Sequence, residues 1–296
     1  MANIFLTSAT GYIGEAVAAA LQSRHTISAL AYSEQPADKL QRSGIKVYRG
    51  DLKDTATYKD ALKEADVVIH TAAVYGPDFA KYDTLTVDTI LAALKGTGKT
   101  FIYTSGTWVL GDTGSVLADE KTPTNPIALV AFRAANEEKV VNAAKSGVHT
   151  IVIRPTIVFG NEKGIVGQWI KQARETGEST YVGNGDNYSS YIHIDDLAQL
   201  YVSAIESGAA GSIYHGSNGQ PVKGRELAEL VAKAAPVETK RGLTGDETRE
   251  KYGPLAEAFS LNQHIDNTRA KLELGFSPKY LLNLETIGKK ELVTTK

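Results

Sequence analysis

Apolar and polar positions alternate along the first half of the chain in a regular way. Short runs of mostly β-branched or aromatic residues stand at Ile4–Leu6, Ile27–Leu30, Val47–Tyr48, Val67–Ile69, Phe101–Tyr103 and Ile151–Ile153. Such continuous apolar runs suit parallel strands covered on both faces. Between them lie longer stretches of helical character at Glu15–Gln22, Ala37–Gln41, Tyr58–Lys63, Asp83–Leu94 and Ala128–Ala144. The last carries Ile127, Val130, Ala131, Ala134 and Val141 at helical spacing, which predicts its buried stripe. Strand–helix alternation repeated this often predicts an α/β fold on a doubly wound parallel sheet.

After Arg154 the pattern changes. Turn signals crowd in at Gly160, Gly164, Gly183-Asn184-Gly185, Gly208, Gly211 and Ser217-Asn218-Gly219. Helices are predicted at Ile165–Arg174, Asp195–Glu206 and Arg225–Ala234, then a short helix from Thr268, a turn at Gly275–Pro278 and a last helix. Residues 1–155 thus read as one part and 156–296 as a small α/β C-terminal lobe. No linker separates them, so the chain is expected to form one continuous unit.

Composition narrows the classes. At 296 residues the chain allows one large or two modest domains, at roughly 150 residues each. Lys and Arg number 32 against 34 Asp and Glu, so no global basic field exists for nucleic acid. No run approaches the ~20 apolar residues of a spanning helix, and no secretory leader is visible. A soluble cytoplasmic protein with no membrane or nucleic-acid partner is expected. Zero cysteines exclude disulfides, thiolate catalysis and thiolate zinc sites. The six histidines show no metal-ligand spacing, and no metal is expected; His193 reads as a structural residue beside a helix N-cap carboxylate. Gly96-Thr97-Gly98-Lys99-Thr100 mimics the tail of a phosphate loop, but it ends a helix and enters a strand, the wrong order for that site.

The first strand leads into Thr7-Ser8-Ala9-Thr10-Gly11-Tyr12-Ile13-Gly14 and then a helix. A glycine-rich turn opening a helix lets backbone approach a pyrophosphate, and the helix N-terminus offers free N–H groups and positive partial charge. Gly11 would permit that approach; Gly14 would let helix and strand pack closely. The turn resembles the T-G-x-x-G-x-x-G fingerprint of extended and atypical short-chain dehydrogenase/reductases, the epimerase/dehydratase-like group, with Ser8 at the first glycine of the pattern. Further segments resemble the same family in order. Gly50-Asp51-Leu52 resembles the G-D-L/I whose Asp meets adenine, and His70-Thr71-Ala72-Ala73 the H-x-A-A along the cofactor ribose. Arg154-Pro155-Thr156-Ile157-Val158-Phe159-Gly160 resembles the segment at the nicotinamide end, and Tyr191–Ala198 the segment that opens a later helix. The resemblance implies a Rossmann-like fold and an NAD or NADP cofactor. The implied contacts are Thr7, Ser8, Thr10, Gly11, Tyr12, Ile13, Gly14, Asp51, Leu52, Thr71, Ala72, Ala73, Pro155 and Val158.

The end of the second strand, Leu30-Ala31-Tyr32-Ser33-Glu34, decides the ribose 2′ position. No acid stands where an NAD reader usually sits, and Tyr32 replaces the Arg common in NADP-binding relatives. Ser33 suits a phosphate, Lys39 or Arg42 is within reach in sequence, and Glu34 opposes it. The segment favours NADP over NAD.

Relatives that move hydride use Ser or Thr, Tyr and Lys, the Lys lowering the phenol's pKa and sitting at i+4 from the Tyr. Here Phe101–Asp112 resembles the segment with the catalytic Ser, and Gly106 falls at that Ser. Glu138-Lys139-Val140-Val141 resembles the segment after the Tyr and Lys, which puts Val130 and Ala134 there, or Leu129 and Arg133 one position earlier, or Ala131 and Ala135 one position later. No Tyr occurs anywhere in 126–145. Thr107 and Tyr75 are candidates to polarise a carbonyl, with Ser105 and Arg133 as further catalytic candidates. Trp108, Trp169, Tyr188 and Tyr191 are expected around an aromatic pocket. These features imply an NAD(P)-dependent oxidoreductase or epimerase-like enzyme. Its substrate would be a small carbonyl, hydroxyl or nucleotide-sugar-like compound. A catalytically silent dinucleotide sensor and a redox-neutral isomerase or lyase are the alternatives, and a homodimer is expected by resemblance.

Overall fold

The computed structural model describes residues 1–288; residues 289–296 of the expected lobe lie outside the described residues. Seven strands form the central sheet: β1 (Asn3–Leu6), β2 (Thr26–Ala31), β3 (Lys46–Arg49), β4 (Val67–His70), β5 (Thr100–Thr104), β6 (His149–Pro155) and β7 (Ser212–Gly216). Their spatial order is β7-β6-β5-β4-β1-β2-β3, and every neighbouring pair is parallel. Each apolar run of the first half is one of these strands; apart from the half-exposed edge strand β3 they are largely buried on both faces and have no polar side to show. The interleaved helices are α1 (Tyr12–Leu21), α2 (Glu34–Arg42), α3 (Lys59–Glu64), α4 (Phe79–Leu94) and α5 (Ala131–Ala143). The later ones are α6 (Gly164–Thr176), α7 (Ile194–Ser207) and α8 (Gly224–Ala234).

Two apolar layers sandwich the sheet. One packs Val17, Ala18 and Leu21 of α1 and Leu197, Leu200 and Tyr201 of α7 on the first face. The other packs Leu62 of α3, Val87, Ile90 and Leu94 of α4 and Val140 of α5 on the second. Polypeptide beyond Pro155 therefore returns to the sheet through α7 and β7. The rest builds a lobe around α6 and α8, with Phe159, Ile170, Tyr191, Leu227 and Val231 in its own apolar cluster. Two short parallel pairings brace it, Ile157–Phe159 with Tyr191–His193 and Glu178–Val182 with Glu238–Leu243.

The buried face of α5 differs from the stripe that spacing predicts. Val130 and Val140 are buried, but the other buried side chains of the helix are Asn136 and Glu137, while Ala131 is exposed and Ala134 and Val141 are half-buried. Polar groups go inside here because partners from other elements await them, as described below. Gly96 and Gly98 turn the chain between α4 and β5 with positive φ, so this segment is a helix exit and not a phosphate loop. His193 itself caps α7: its Nδ1 accepts the amide of Asp195, so the cap is imidazole rather than carboxylate. Among the described residues no helix is long and apolar enough to cross a membrane.

Candidate dinucleotide and substrate site

Strand order reverses between β1 and β4, and the crevice at the carboxyl ends of these strands is where such sheets bind ligands. The turn after β1 occupies it. Gly11 is the N-cap of α1, and no side chain caps that helix, so its first-turn amides keep their capacity for an anion. Gly14 is fixed by close approach: a Cβ there would lie 1.6 Å from the Ser8 carbonyl oxygen. A Cβ on Gly11 would come within 2.9 Å of Ser8 Oγ. The glycine pattern is therefore set by the turn's tightness, and the turn fits the pyrophosphate of a dinucleotide. Tyr12 donates to the Gly160 carbonyl at 2.8 Å, tying the turn to the loop after Phe159, and burial raises its phenol's pKa, with the Asp195 charge adding to the rise.

A buried polar chain holds this turn from behind. Thr7 Oγ1 lies 3.2 Å from the amides of Thr71 and Ala72, which donate to it, and 2.8 Å from His70 Nδ1. With both lone pairs occupied, the Thr7 hydroxyl proton goes to Nδ1. His70 is thus the neutral tautomer with its proton on Nε2, which faces Asp83 Oδ1 at 3.4 Å. Asp83 Oδ2 accepts from Tyr103 at 2.7 Å and from Asn136 at 2.9 Å. Burial opposes ionisation of Asp83, but the His70 imidazole beside it, the charge of Arg133 and the hydrogen bond from Tyr103 outweigh it and hold the carboxyl below its usual range. Thr71 also donates to the Ser8 carbonyl at 2.9 Å. The sequence motif located His70; nothing in sequence spacing located Asp83 or Asn136, which reach it from α4 and α5.

The remaining cofactor candidates are spread along the same edge. Leu52 is buried, and Asp51 is half-buried with Oδ1 accepting the Lys53 amide at 3.0 Å. Gly50 before them is forced, since a Cβ would sit 2.2 Å from Thr57 Oγ1. Ala72 and Ala73 are half-buried, Pro155 is buried at the end of β6, and Val158 and Ile13 pack partly against the core. At the end of β2, Tyr32 is 76% exposed, and Ser33 is the N-cap of α2 but makes no side-chain cap bond, leaving its hydroxyl available. Thr10, Gln35, Lys39, Arg42 and Ser43 line an open cleft beside the turn. Glu34 is neutralised by Arg49 at 2.6 Å, while Lys39 is shared with Glu15 at 2.7 Å.

Where the resemblance expects a catalytic Ser, Gly106 carries no side chain, although a Cβ would fit. Its φ of 175° is ordinary extended backbone, and an added Cβ would meet only Arg133 Nη1 and the Pro155 carbonyl, both at 3.8 Å. Nothing about the backbone requires glycine there. Arg133 lies beneath: Nη1 donates to the Ser105 carbonyl at 2.5 Å and to the Thr104 carbonyl at 3.4 Å. Its guanidinium sits over the rings of Phe79 and Phe132, at 5.3 Å and 6.0 Å. Val130 is buried in the cluster around Trp108 and Phe259.

The four catalytic candidates separate. Ser105 and Arg133 come together beside Gly106, and the Ser105 hydroxyl is buried with no partner. Thr107 is buried and donates to Gln263 Oε1 at 3.4 Å, while Gln263 Nε2 donates to the carbonyls of Thr107 and Gly111. This makes Thr107 part of a clamp on its own turn. Tyr75 is 81% exposed, its ring against Phe79 at 5.3 Å. Of the aromatic residues, Trp169 and Tyr191 line a lobe cavity with Tyr181, Tyr252 and Phe259. Trp108 packs edge-on against Phe259, and Tyr188 stands apart from the cavity against His264.

Arg154 does not face this space. It pairs with Glu137 of α5, Nε to Oε1 at 3.0 Å and Nη2 to Oε2 at 2.6 Å, with both side chains about 3% exposed. Its Nη1 donates to His215 Nε2 at 3.4 Å, so His215 carries its proton on Nδ1 and donates it to the Asp266 carbonyl at 3.1 Å.

Comparison with known proteins agrees with this architecture. A family model for the NAD dependent epimerase/dehydratase family matches residues 4–215. An uncharacterized protein of Schizosaccharomyces pombe is 32% identical over 288 residues, 94% of this chain and 95% of its own length. A 2-alkyl-3-oxoalkanoate reductase of Stenotrophomonas maltophilia is 29% identical over 264 residues, 79% of this chain and 76% of its own. The crystal structure of a dTDP-glucose 4,6-dehydratase from Bacillus anthracis in complex with NAD shares the fold, with a TM-score of 0.80 over 97% of this chain and 96% of that one at 18% identity. With a matched region that spans the phosphate turn, five of the seven sheet strands and most of the other two, the chain belongs to the NAD dependent epimerase/dehydratase family.

Proposed function

We propose that this protein is an NADP-preferring reductase of small carbonyl compounds that works without the Tyr and Lys of its relatives. The observation that carries the reading is the side chain missing at Gly106, where the backbone does not require glycine. A Cβ there would stand 3.8 Å from the Pro155 carbonyl and from Nη1 of a cationic Arg133. A bound reduced dinucleotide supplies hydride to a carbonyl carbon. What this chain must do is hold the substrate beside it and manage the oxygen that gains charge. The nearby groups suited to that are the Ser105 hydroxyl, buried and partnerless, and Arg133. An Arg is always protonated and does not release its proton, so the oxygen takes its proton from water. The preference for NADP rests on the free Ser33 hydroxyl and the cleft lined by Lys39 and Arg42, with Glu34 already neutralised by Arg49.

A second reading has its own observation. No Tyr occurs in residues 126–145, and a catalytically silent dinucleotide sensor needs none. Turnover separates the two. With NADPH and a panel of aldehydes, ketones, oxo acids and nucleotide sugars, the reductase reading expects loss of nicotinamide absorbance with at least one carbonyl compound. That loss should fall by about 10-fold or more in Ser105→Ala. Tight dinucleotide binding with no turnover on any compound contradicts the reductase and supports the sensor.

A further inference from the structure

Arg133 is a half-buried cation without an anion. Arginine is rarely buried unless paired, because removing its charge from water must be offset by a counter-charge. Among the described residues no carboxylate lies within ion-pair distance of its guanidinium. Asp83 contributes a longer-range charge only, and its oxygens are taken up by His70, Tyr103 and Asn136. The guanidinium is nonetheless held firmly. Nη1 is fixed by the carbonyls of Ser105 and Thr104, and the rings of Phe79 and Phe132 cover it. Two of its nitrogens remain over. Nε is buried with no partner, and Nη2 makes no hydrogen bond with any described residue. The Nε–Nη2 edge is one of the two guanidinium edges that receive a carboxylate in paired fashion. On the Nη1 side, 3.8 Å from where a Cβ would stand, Gly106 omits a side chain that its backbone would tolerate.

We propose that Arg133 binds a carboxylate of the substrate, so that the carbonyl compounds this protein acts on are oxo acids. This assignment rests on the reductase reading and deepens it. A cation without a counter-charge and with an unused donor edge, beside a glycine whose backbone does not require one, fits a ligand that brings its own negative charge. A neutral ketone would leave the charge uncompensated after the cleft loses its water.

The test uses the full-length protein with saturating NADPH and four probes read by calorimetry. Acetoacetate and 2-oxobutanoate are the acids; acetylacetone and 2-butanone are neutral counterparts of similar size. The assignment expects at least one acid to bind more tightly than its neutral counterpart. In Arg133→Met that acid should lose about 30-fold or more in affinity. Arg133→Lys should recover part of the loss, and the dinucleotide affinity should stay within about two-fold of wild type. Gly106→Val, which fills the space and leaves the charge, should weaken the same acid in a protein whose melting temperature is unchanged. Equal affinity for acid and neutral probes, binding of neither acid, or undiminished acid binding in Arg133→Met overturns the assignment while leaving dinucleotide binding intact. If wild type binds no dinucleotide, it is the reductase reading that falls.

Discussion

Two glycines in this chain look alike in sequence and do opposite things. Gly14 is enforced by a backbone oxygen that a Cβ would strike. Gly106 is enforced by nothing in its surroundings, and what matters is the room it leaves. Sequence showed both residues and could rank only the first, because a fingerprint encodes a tight turn but not a vacancy. The same holds for His215. As one of six histidines without metal spacing it carried no expectation, yet its site is specific. Burial, and then the neighbouring Arg154 charge, push its pKa from 6.5 down to about 3. A base whose folded pKa lies below its unfolded value contributes stability that is fully present above pH 6.5 and is lost as pH falls from there toward 3. Wild type should therefore lose about 2 kcal/mol between pH 7 and pH 5 relative to His215→Gln, which keeps an amide near Arg154. Urea denaturation at the two pH values measures it; parallel pH dependence in the two proteins contradicts the burial of a neutral imidazole.

At the scale of elements, the strands and helices of the first half follow their apolar periodicity closely, and α5 shows where that signal stops. Ile127 and Val130 do turn inward, but Glu137 and Asn136 do so too, and no propensity places a carboxylate inside. Their burial is decided by Arg154 on β6 and Asp83 on α4, partners distant in sequence. The seventh strand was unreadable for the opposite reason: Ser212–Gly216 is short, half polar and set among turn signals, and only its pairing with β6 makes it a strand. Glu137 pins α5 to the sheet, and α5 carries Arg133. Glu137→Met removes one member of a buried pair and leaves the Arg154 charge uncompensated, which costs about 3–5 kcal/mol. A shift in the urea midpoint of matching size is the expected result. A loss under about 1 kcal/mol would mean that Arg154 finds water or another acid.

At the scale of the molecule, the order of strands puts one crevice at the reversal between β1 and β4, and the chemistry gathers at that crevice. Thr7, His70 and Asp83 link the phosphate turn to α4, Asp83 and Asn136 link α4 to α5, and α5 presents Arg133 under Gly106. The phosphate turn and the surroundings of Gly106 are thus mounted on one buried polar chain. The family fingerprint made the first legible. The second was visible only as an absence, since a missing Tyr says what is not there and the groups around Gly106 come together from separate elements only in the fold. Whether this turn holds a nicotinamide dinucleotide is decided by calorimetric titration of NADPH and NADH into wild type and Gly14→Ala. The account predicts saturable one-site binding to wild type, tighter for NADPH, with a loss of about 10-fold or more in Gly14→Ala, where the Cβ pushes helix from strand. No binding of either dinucleotide to folded wild-type protein, or equal binding to the variant, would contradict it.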